Sequence, residues 1–269
     1  MAEASFRGQA RGAIMSTKTR KQRTYSWEIL HAADPLLPAV RELYESALPS
    51  DERVPWEWLE RGVKTRGEWR PGGWGKHLIV ASPQRETTDP ERLAGFAFAA
   101  HVPGYGGYLS YIAVADQFRG RGVGARLFEQ AFNLLAVDAA AVDETLPFVI
   151  WESRRPDAAA AVSSREMWNA RLRLFHKAGG FWVDGVTLPS PNWTDPAAPA
   201  VPLQLFLAPV DEPREAFDSP RVREAVAGLL TNVYRAGPGD AEYDCSLPPG
   251  CLPRLKPAAD AGRTAEVSR

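Results

Sequence analysis

The chain is short of the residues that build metal centres and covalent frameworks. Of its 269 residues, two are cysteine and four are histidine. His31, His77, His101 and His176 fall at no ligand spacing, either among themselves or with the cysteines, so no metal site is expected. Cys245 and Cys251 sit in a Pro/Gly-rich stretch. They are close enough to be bridged, but one pair is no disulfide framework, and two reduced thiols are the expectation. No apolar run reaches the roughly 18 residues of a membrane span. The N-terminus has no apolar core of the secretory kind. Charge of one sign is also missing: Lys and Arg total 32 against 33 for Asp and Glu, a net charge of −1. That balance gives no electrostatic ground for a nucleic-acid or membrane-surface partner. With 45% hydrophobic and 24% charged residues the composition is that of a globular protein, which excludes whole-chain disorder, collagen and a coiled coil. The cytoplasm is the expected compartment.

Proline and tryptophan are plentiful instead. Thirteen of the 23 prolines follow residue 188, so the excess belongs to the last third. Residues 1–23 carry Arg7, Arg11, Lys18, Arg20, Lys21 and Arg23 against one acid, Glu3. This predicts a disordered basic leader, or sequence upstream of a start at Met15; an organelle-import peptide can look the same.

From Tyr25 onward the chain shows regular patterns. Tyr25–His31 predicts a strand, and Leu36–Leu48 a helix with Leu36, Val40, Leu43, Tyr44 and Ala47 on one face. Val54–Gly62 predicts a second helix and Arg66–Gly75 a loop. Three strands follow, Lys76–Ala81, Leu93–Val102 and Tyr108–Ala115, joined by segments dense in turn formers that suit antiparallel pairing. Gly122–Val137 reads as a helix, Phe148–Trp151 as a short buried strand, Ser163–Lys177 as a helix, and Phe181–Val186 and Pro202–Leu207 as strands. The fold class is mixed α/β, a meander leading into one strand–helix–strand crossover, over a domain expected at residues 24–209. Residues 210–269 form an extension. Ser219-Pro220 starts a helix over about 220–235 whose apolar stripe (Val222, Ala225, Val226, Leu229, Leu230, Val233, Tyr234) must dock on the main domain or serve a homodimer. After about residue 236 an irregular tail is expected.

The chemistry sits in Val114 to Leu127, VADQFRGRGVGARL. A strand ends, a glycine-rich turn follows, and an amphipathic helix starts. Backbone N–H groups in the first turn of a helix have no intrahelical acceptor. With the helix dipole they form an anion site suited to a pyrophosphate. Gly120, Gly122 and Gly124 are expected to let the main chain approach phosphate oxygens without a Cβ in the way. Arg119 and Arg121 add positive charge. A Walker loop needs Gly-Lys-Ser/Thr where this chain has Gly124-Ala125-Arg126. A dinucleotide fingerprint needs G-x-G-x-x-G, and here the last spacing is wrong.

Arg119-x-x-Gly122-x-Gly124 after a strand reading YIAV resembles the coenzyme A signature of the GNAT N-acetyltransferase superfamily. Arg171 to Phe181, RLRLFHKAGGF, looks like that family's second signature, a helix ending in Gly-Phe before the next strand. The element order from Tyr25 to Leu207 is also similar. Leu48 to Pro55, LPSDERVP, looks like a stretch that some bacterial members carry between their first two helices. The resemblance implies a mostly antiparallel central sheet flanked by helices and splayed at an acyl-CoA cleft, between the strand ending at Val114 and the strand Phe148–Trp151. It implies acetyl-CoA as cosubstrate. Main-chain groups of Ile112, Ala113 and Val114 would hold the pantetheine. Amides of Arg119, Gly120, Arg121, Gly122, Val123, Gly124 and Ala125 would hold the pyrophosphate.

In such an enzyme an uncharged amine attacks the thioester directly, which agrees with the lack of a Ser or Cys nucleophile motif. A base removes the amine's proton, and an acid can protonate the leaving thiolate. Family members often place a tyrosine five residues before the Phe of Gly-Phe; here that position is His176. An imidazole can do the acid's work, or His176 can be an ordinary helix-end histidine favoured by the dipole. Glu152, ending the strand beside the expected cleft, is the candidate base; pairing with Arg154 or Arg155 is its other reading. Tyr108 and Ser110 are second choices, and Glu52 is a candidate for the acceptor pocket. Trp151, Trp168 and Trp182 are expected to pack in the core. Trp56, Trp58, Trp69 and Trp74 can line an acceptor pocket or simply pack a long loop. The acceptor, a small-molecule or peptide amine, is not legible. Binding of acyl-CoA without catalysis, as a sensor or structural module, is the alternative function.

Overall fold

The computed structural model describes residues 23–66, 73–156, 161–195 and 197–262. The leader expected over residues 1–23 lies outside them except for Arg23, as does Trp69. Eight strands form one sheet: β1 (Tyr25–Ile29), β2 (Gly75–Ser82), β3 (Gly95–Val102), β4 (Gly106–Val114), β5 (Phe148–Arg154), β6 (Phe181–Ser190), β7 (Val201–Pro209) and β8 (Arg254–Pro257). Their order is β1-β2-β3-β4-β5-β7-β6-β8. Among the described residues six helices accompany them: α1 (Leu37–Ala47), α2 (Trp56–Arg66), α3 (Val123–Ala140), α4 (Val162–Lys177), α5 (Ser219–Leu229) and α6 (Ala241–Ser246). Every strand pairing is antiparallel except β4 with β5. Among the described residues, no helix is long and apolar enough to cross a membrane.

Alternation along the strands sorts side chains to two faces. Leu78, Val80, Phe96 and Phe98 pack with Val40, Tyr44, Leu59 and Val63 of α1 and α2. Their neighbours Ile79, Ala81, Ala97 and Ala99 turn to the other face, under Leu127, Phe128, Ala131 and Leu135 of α3. The small residues of β3 let α3 lie close to the sheet. In β5, Val149 and Trp151 join that α3/α4 face, whereas Phe148 and Ile150 face α5 and its Val222, Val226 and Leu229. One face therefore carries α3 and α4, and the other is shared by α1/α2 and α5.

The parallel pair is brief. Only Gly107↔Val149 and Tyr108↔Ile150 are in register. Directly beyond, β4 carries a bulge: Phe98 of β3 pairs Tyr111 while Ala99 pairs Leu109, which leaves Ser110 as the extra residue. A bulge bends its strand and ends regular pairing. It steers β4 away from β5, which is the physical origin of the splay.

The stripe of α5 is buried against β5 to β7, with Val222, Val226, Leu229 and Leu230 all fully covered. Past residue 236 the chain differs from the irregular tail expected of its composition. It forms α6, and β8 hydrogen-bonds along β6. Leu247 and Leu255 supply the apolar anchors that hold these short elements. Cys245 and Cys251 are both free thiols.

A buried polar cluster ties β1, β2, α2 and α3 together. His77 is fully buried. Its Nδ1 lies 2.8 Å from Glu28 Oε1 and its Nε2 2.8 Å from Asp138 Oδ2. Arg66 donates to both carboxylates, at 2.9 and 3.2 Å. Asp138 reaches in over Gly75, where a Cβ would collide with its carboxylate.

Candidate active site

A cleft of about 700 Å³ opens where β4 leaves β5 and runs through the gap from one face of the sheet to the other. Past Tyr108, Ile112, Ala113 and Val114 pair only with β3, and their β5-facing edge lines the cleft. The chain then makes a short 3-10 turn, Asp116–Phe118, and enters α3. Gly120 has φ of 73° and Gly122, the residue capping α3, has φ of 85°. Both angles are left-handed, which glycine adopts freely and L side chains do not. No side chain caps this end, and the first intrahelical bond is made by Arg126 N to Gly122 O. The N–H groups of Val123, Gly124 and Ala125 thus lack helical acceptors and stand at the cleft.

The three glycines are not equivalent. Nothing lies within 4 Å of a Cβ placed on Gly120 or Gly122, so conformation requires those two. A Cβ on Gly124 would meet Leu174 of α4 at 2.8 Å. Gly124 lets two helices close on each other, a correction to the expectation that it clears the way for phosphate. Cations collect at this end. Arg119 pairs with Asp116 at 2.8 Å, and Arg171, Arg173 and Lys177 of α4 also line the cleft. In the sequence the α4 cations show only as three basic residues near the end of a helix; that this helix packs on the glycine turn is a tertiary fact. Arg121 sits over the ring of Phe118, 5.7 Å from its centroid.

At the gap itself stands Glu152. It shares the face of Ile150 and so points away from Trp151, which packs among Phe128, Phe175 and Phe206. Its Oε1 accepts hydrogen bonds from Tyr108 Oη at 2.5 Å and Tyr234 Oη at 2.9 Å. Its Oε2 is buried and has no protein partner. Burial pushes the carboxyl pKa up to about 7; the two phenol hydrogen bonds work against the rise, and the nearby charge of Glu52 adds to it. Near neutral pH this carboxylate can therefore take up or release a proton. Tyr234 is the residue sequence reasoning missed as functional. In the sequence it is one position of an apolar stripe, and nothing local to it reveals that α5 ends against β5.

Glu52 lines the cleft from the turn after α1. Burial raises its pKa, opposed by Arg154 at 3.5 Å and by the charge of Arg171. The turn is pinned by tyrosines: Tyr111 Oη accepts from Val54 N at 3.0 Å, and Tyr44 Oη donates to Val54 O at 2.8 Å. Ser110, the bulge residue, also lines the cleft.

His176 does not. The inward stripe of α4 is Trp168, Leu172 and Phe175, and the next position is turned about 100° away. His176 is exposed and borders no part of the cleft. The structure thus departs from its expected role as acid. Of the tryptophans, Trp151, Trp168 and Trp182 are buried, as is Trp56. Trp58, Trp74 and Trp193 line the side of the cleft between α2 and the end of α5.

Residues 37–145 match the model of the acetyltransferase (GNAT) family. Over that span the chain is similar to a GNAT acetyltransferase domain, and its fold is that of a solved GNAT-family structure. Its sheet, flanking helices and splay agree with that fold. A GNAT-family protein from Bacteroides thetaiotaomicron superposes with a TM-score of 0.51 at 15% identity, covering 78% of this chain and 97% of its own. A GNAT protein from Desulfovibrio desulfuricans gives 0.45 at 14% identity, over 70% of this chain and 99% of its own. The ribosomal-protein-S18-alanine N-acetyltransferase of Escherichia coli gives 0.43 at 16% identity, over 71% and 96%. No curated protein matches the sequence. The matched span of the GNAT domain runs from α1 into the loop after α3, and so contains the glycine turn. Glu152, α4 and Tyr234 lie beyond it.

Proposed function

We propose that the protein is an N-acetyltransferase that moves an acetyl group from acetyl-CoA to an amine by direct attack. The observation that carries this is the Glu152 carboxylate, half hydrogen-bonded and half unpartnered, at the gap that joins the two sides of the cleft. The cofactor side fits acetyl-CoA. It offers an unpaired strand edge, three orphan amides at a helix start, and cations from α4. In this reading the edge of Ile112, Ala113 and Val114 holds the pantetheine. The amides of the turn from Arg119 to Ala125 hold the pyrophosphate. Acetyl-CoA supplies the activated acyl group.

The residues of the chain then do two things. The aromatic wall and Glu52 orient the acceptor on the far side of the gap. Glu152 takes the amine's proton, which frees the nitrogen lone pair; a C–N bond forms as the C–S bond breaks, and the proton count closes on the thiol. Tyr108 and Tyr234 hold Oε1, so that Oε2 is the oxygen left for the amine. With His176 facing solvent, no residue at that position serves as acid. The same fact motivates the second reading, an acyl-CoA-binding module without turnover.

Calorimetry with acetyl-CoA, followed by thiol release over a panel of amines, separates the two readings. The enzyme reading expects binding and turnover, with Glu152→Gln retaining binding and losing about 100-fold or more in kcat. Binding with no turnover on any amine would establish the module instead. Absence of binding would refute both.

A further inference from the structure

The acceptor side of the cleft has its charges at two ends. Glu152 and Glu52 lie toward the gap. At the outer end β2 presents Lys76, and the residue after Tyr234 presents Arg235. Both cations stand over one ring: Lys76 Nζ and the Arg235 guanidinium carbon are each 5.8 Å from the centroid of Trp74. Lys76 is half-buried, and burial lowers its ammonium pKa, with Arg61 pushing the same way. Among the described residues neither Lys76 nor Arg235 has a carboxylate partner. Arg235 is exposed and Lys76 half-buried, so an anionic group entering the cleft here would meet two positive charges at one ring.

The backbone that delivers Arg235 is unusual. After α5 the chain makes a π turn, Leu230–Tyr234, and Arg235 then adopts φ of 60° and ψ of 24°. Arginine enters this left-handed region at a cost, and π turns concentrate at functional sites. This one places Tyr234 on Glu152 and Arg235 beside Trp74 in consecutive residues. Between the two charged ends the wall is apolar. Trp58 and Trp193 meet edge to face at 5.2 Å, and Trp58 remains 46% exposed.

We propose, resting on the acetyltransferase reading above, that the acceptor is an amine with an apolar body of aromatic size that also bears a carboxylate. Its amine meets Glu152, its body lies along Trp58 and Trp193, and its carboxylate is held by Lys76 and Arg235 at Trp74. The carboxylate takes no part in bond making. The C–N bond forms, the C–S bond breaks, and the amine's proton leaves through Glu152 as before.

The test uses the full chain and matched acceptor pairs: para-(aminomethyl)benzoate against its benzamide, and para-(2-aminoethyl)benzoate against its benzamide. In at least one pair the acid should exceed its neutral partner by about tenfold or more in kcat/KM. Lys76→Gln and Arg235→Gln should each shrink that ratio by about tenfold, with acetyl-CoA binding and Tm measured alongside to confirm a folded protein. Neutral amines turned over as well as the acids in both pairs would overturn the proposal while leaving the enzyme reading intact. So would a ratio that neither variant moves. Acetyl-CoA binding with thiol release on no amine would overturn the proposal and the enzyme reading together.

Discussion

Tyr234→Phe removes one hydrogen bond to a buried carboxylate and leaves the ring in place. Tyr234 Oη donates to Glu152 Oε1 at 2.9 Å, beside the donation from Tyr108 at 2.5 Å. Such bonds favour the charged form of the acid, against the burial that has lifted its pKa to about 7. A hydrogen bond to a charged group is worth about 1.5–3 kcal/mol, and 1.36 kcal/mol corresponds to one pKa unit. Losing it should therefore raise the pKa of Glu152 by about one to two units. The sign follows: a base must be ionised to accept a proton, so the acid limb of kcat/KM against pH moves upward. Well below the limb the variant should run about 10- to 100-fold slower than the parent, and well above it the two should converge. Thiol release from acetyl-CoA, followed from acid to alkaline pH on one amine, reads this directly. A limb that stays in place, or a rate depressed equally at every pH, would refute the assignment of Glu152 as the base held by Tyr234.

The same burial has a cost. Glu152 titrates higher folded than unfolded, so its stabilising contribution is complete below about pH 4.5 and lost as pH rises through about 7. Glu152→Gln, inactive as an enzyme, should gain about 3 kcal/mol at most above neutrality and show a higher Tm there than the parent; an unchanged Tm would argue against a buried charge. His77 has the same sign. Burial opposes its protonation, but hydrogen bonds to Asp138 and Glu28 outweigh it and hold the imidazole above its ordinary value. Its contribution is complete below about pH 6.5 and is lost as pH rises through the folded value, so His77→Gln should flatten the fall of Tm toward alkaline pH. Gly124→Ala should lower Tm by crowding Leu174. Gly122→Ala instead strains a left-handed residue by about 1–2 kcal/mol and, by disturbing the orphan amides, should weaken acetyl-CoA in calorimetry more than Gly124→Ala does. His176→Phe should change kcat/KM by less than about twofold, since His176 faces solvent; a large loss would return it to the mechanism.

Strand and helix order from Tyr25 to Leu207 was legible because each element repeats its own period: alternation in β3, 3.6-residue spacing in α3 and α4. The glycine turn was legible because its requirements are local. A left-handed residue at Gly122 followed by uncapped amides needs only the few residues around it. Glu152 could be placed beside the cleft from its position at the end of a short strand. Its environment could not, because the two phenols that hold it lie 44 and 82 residues away in sequence.

His176 shows the limit from the other side. A motif position says where a residue falls along a helix, while the packing of Phe175 decides which way that helix faces. The sequence by itself determined the alternation that sorts the sheet's two faces, the turn that makes an anion site, and the stripe that obliges α5 to be covered. Only the tertiary structure decided that the stripe is covered by β5 to β7, and that the π turn ending it brings Tyr234 onto Glu152. Periodicity and backbone conformation act over a few residues, whereas the pKa of a carboxylate depends on whatever the whole chain packs around it.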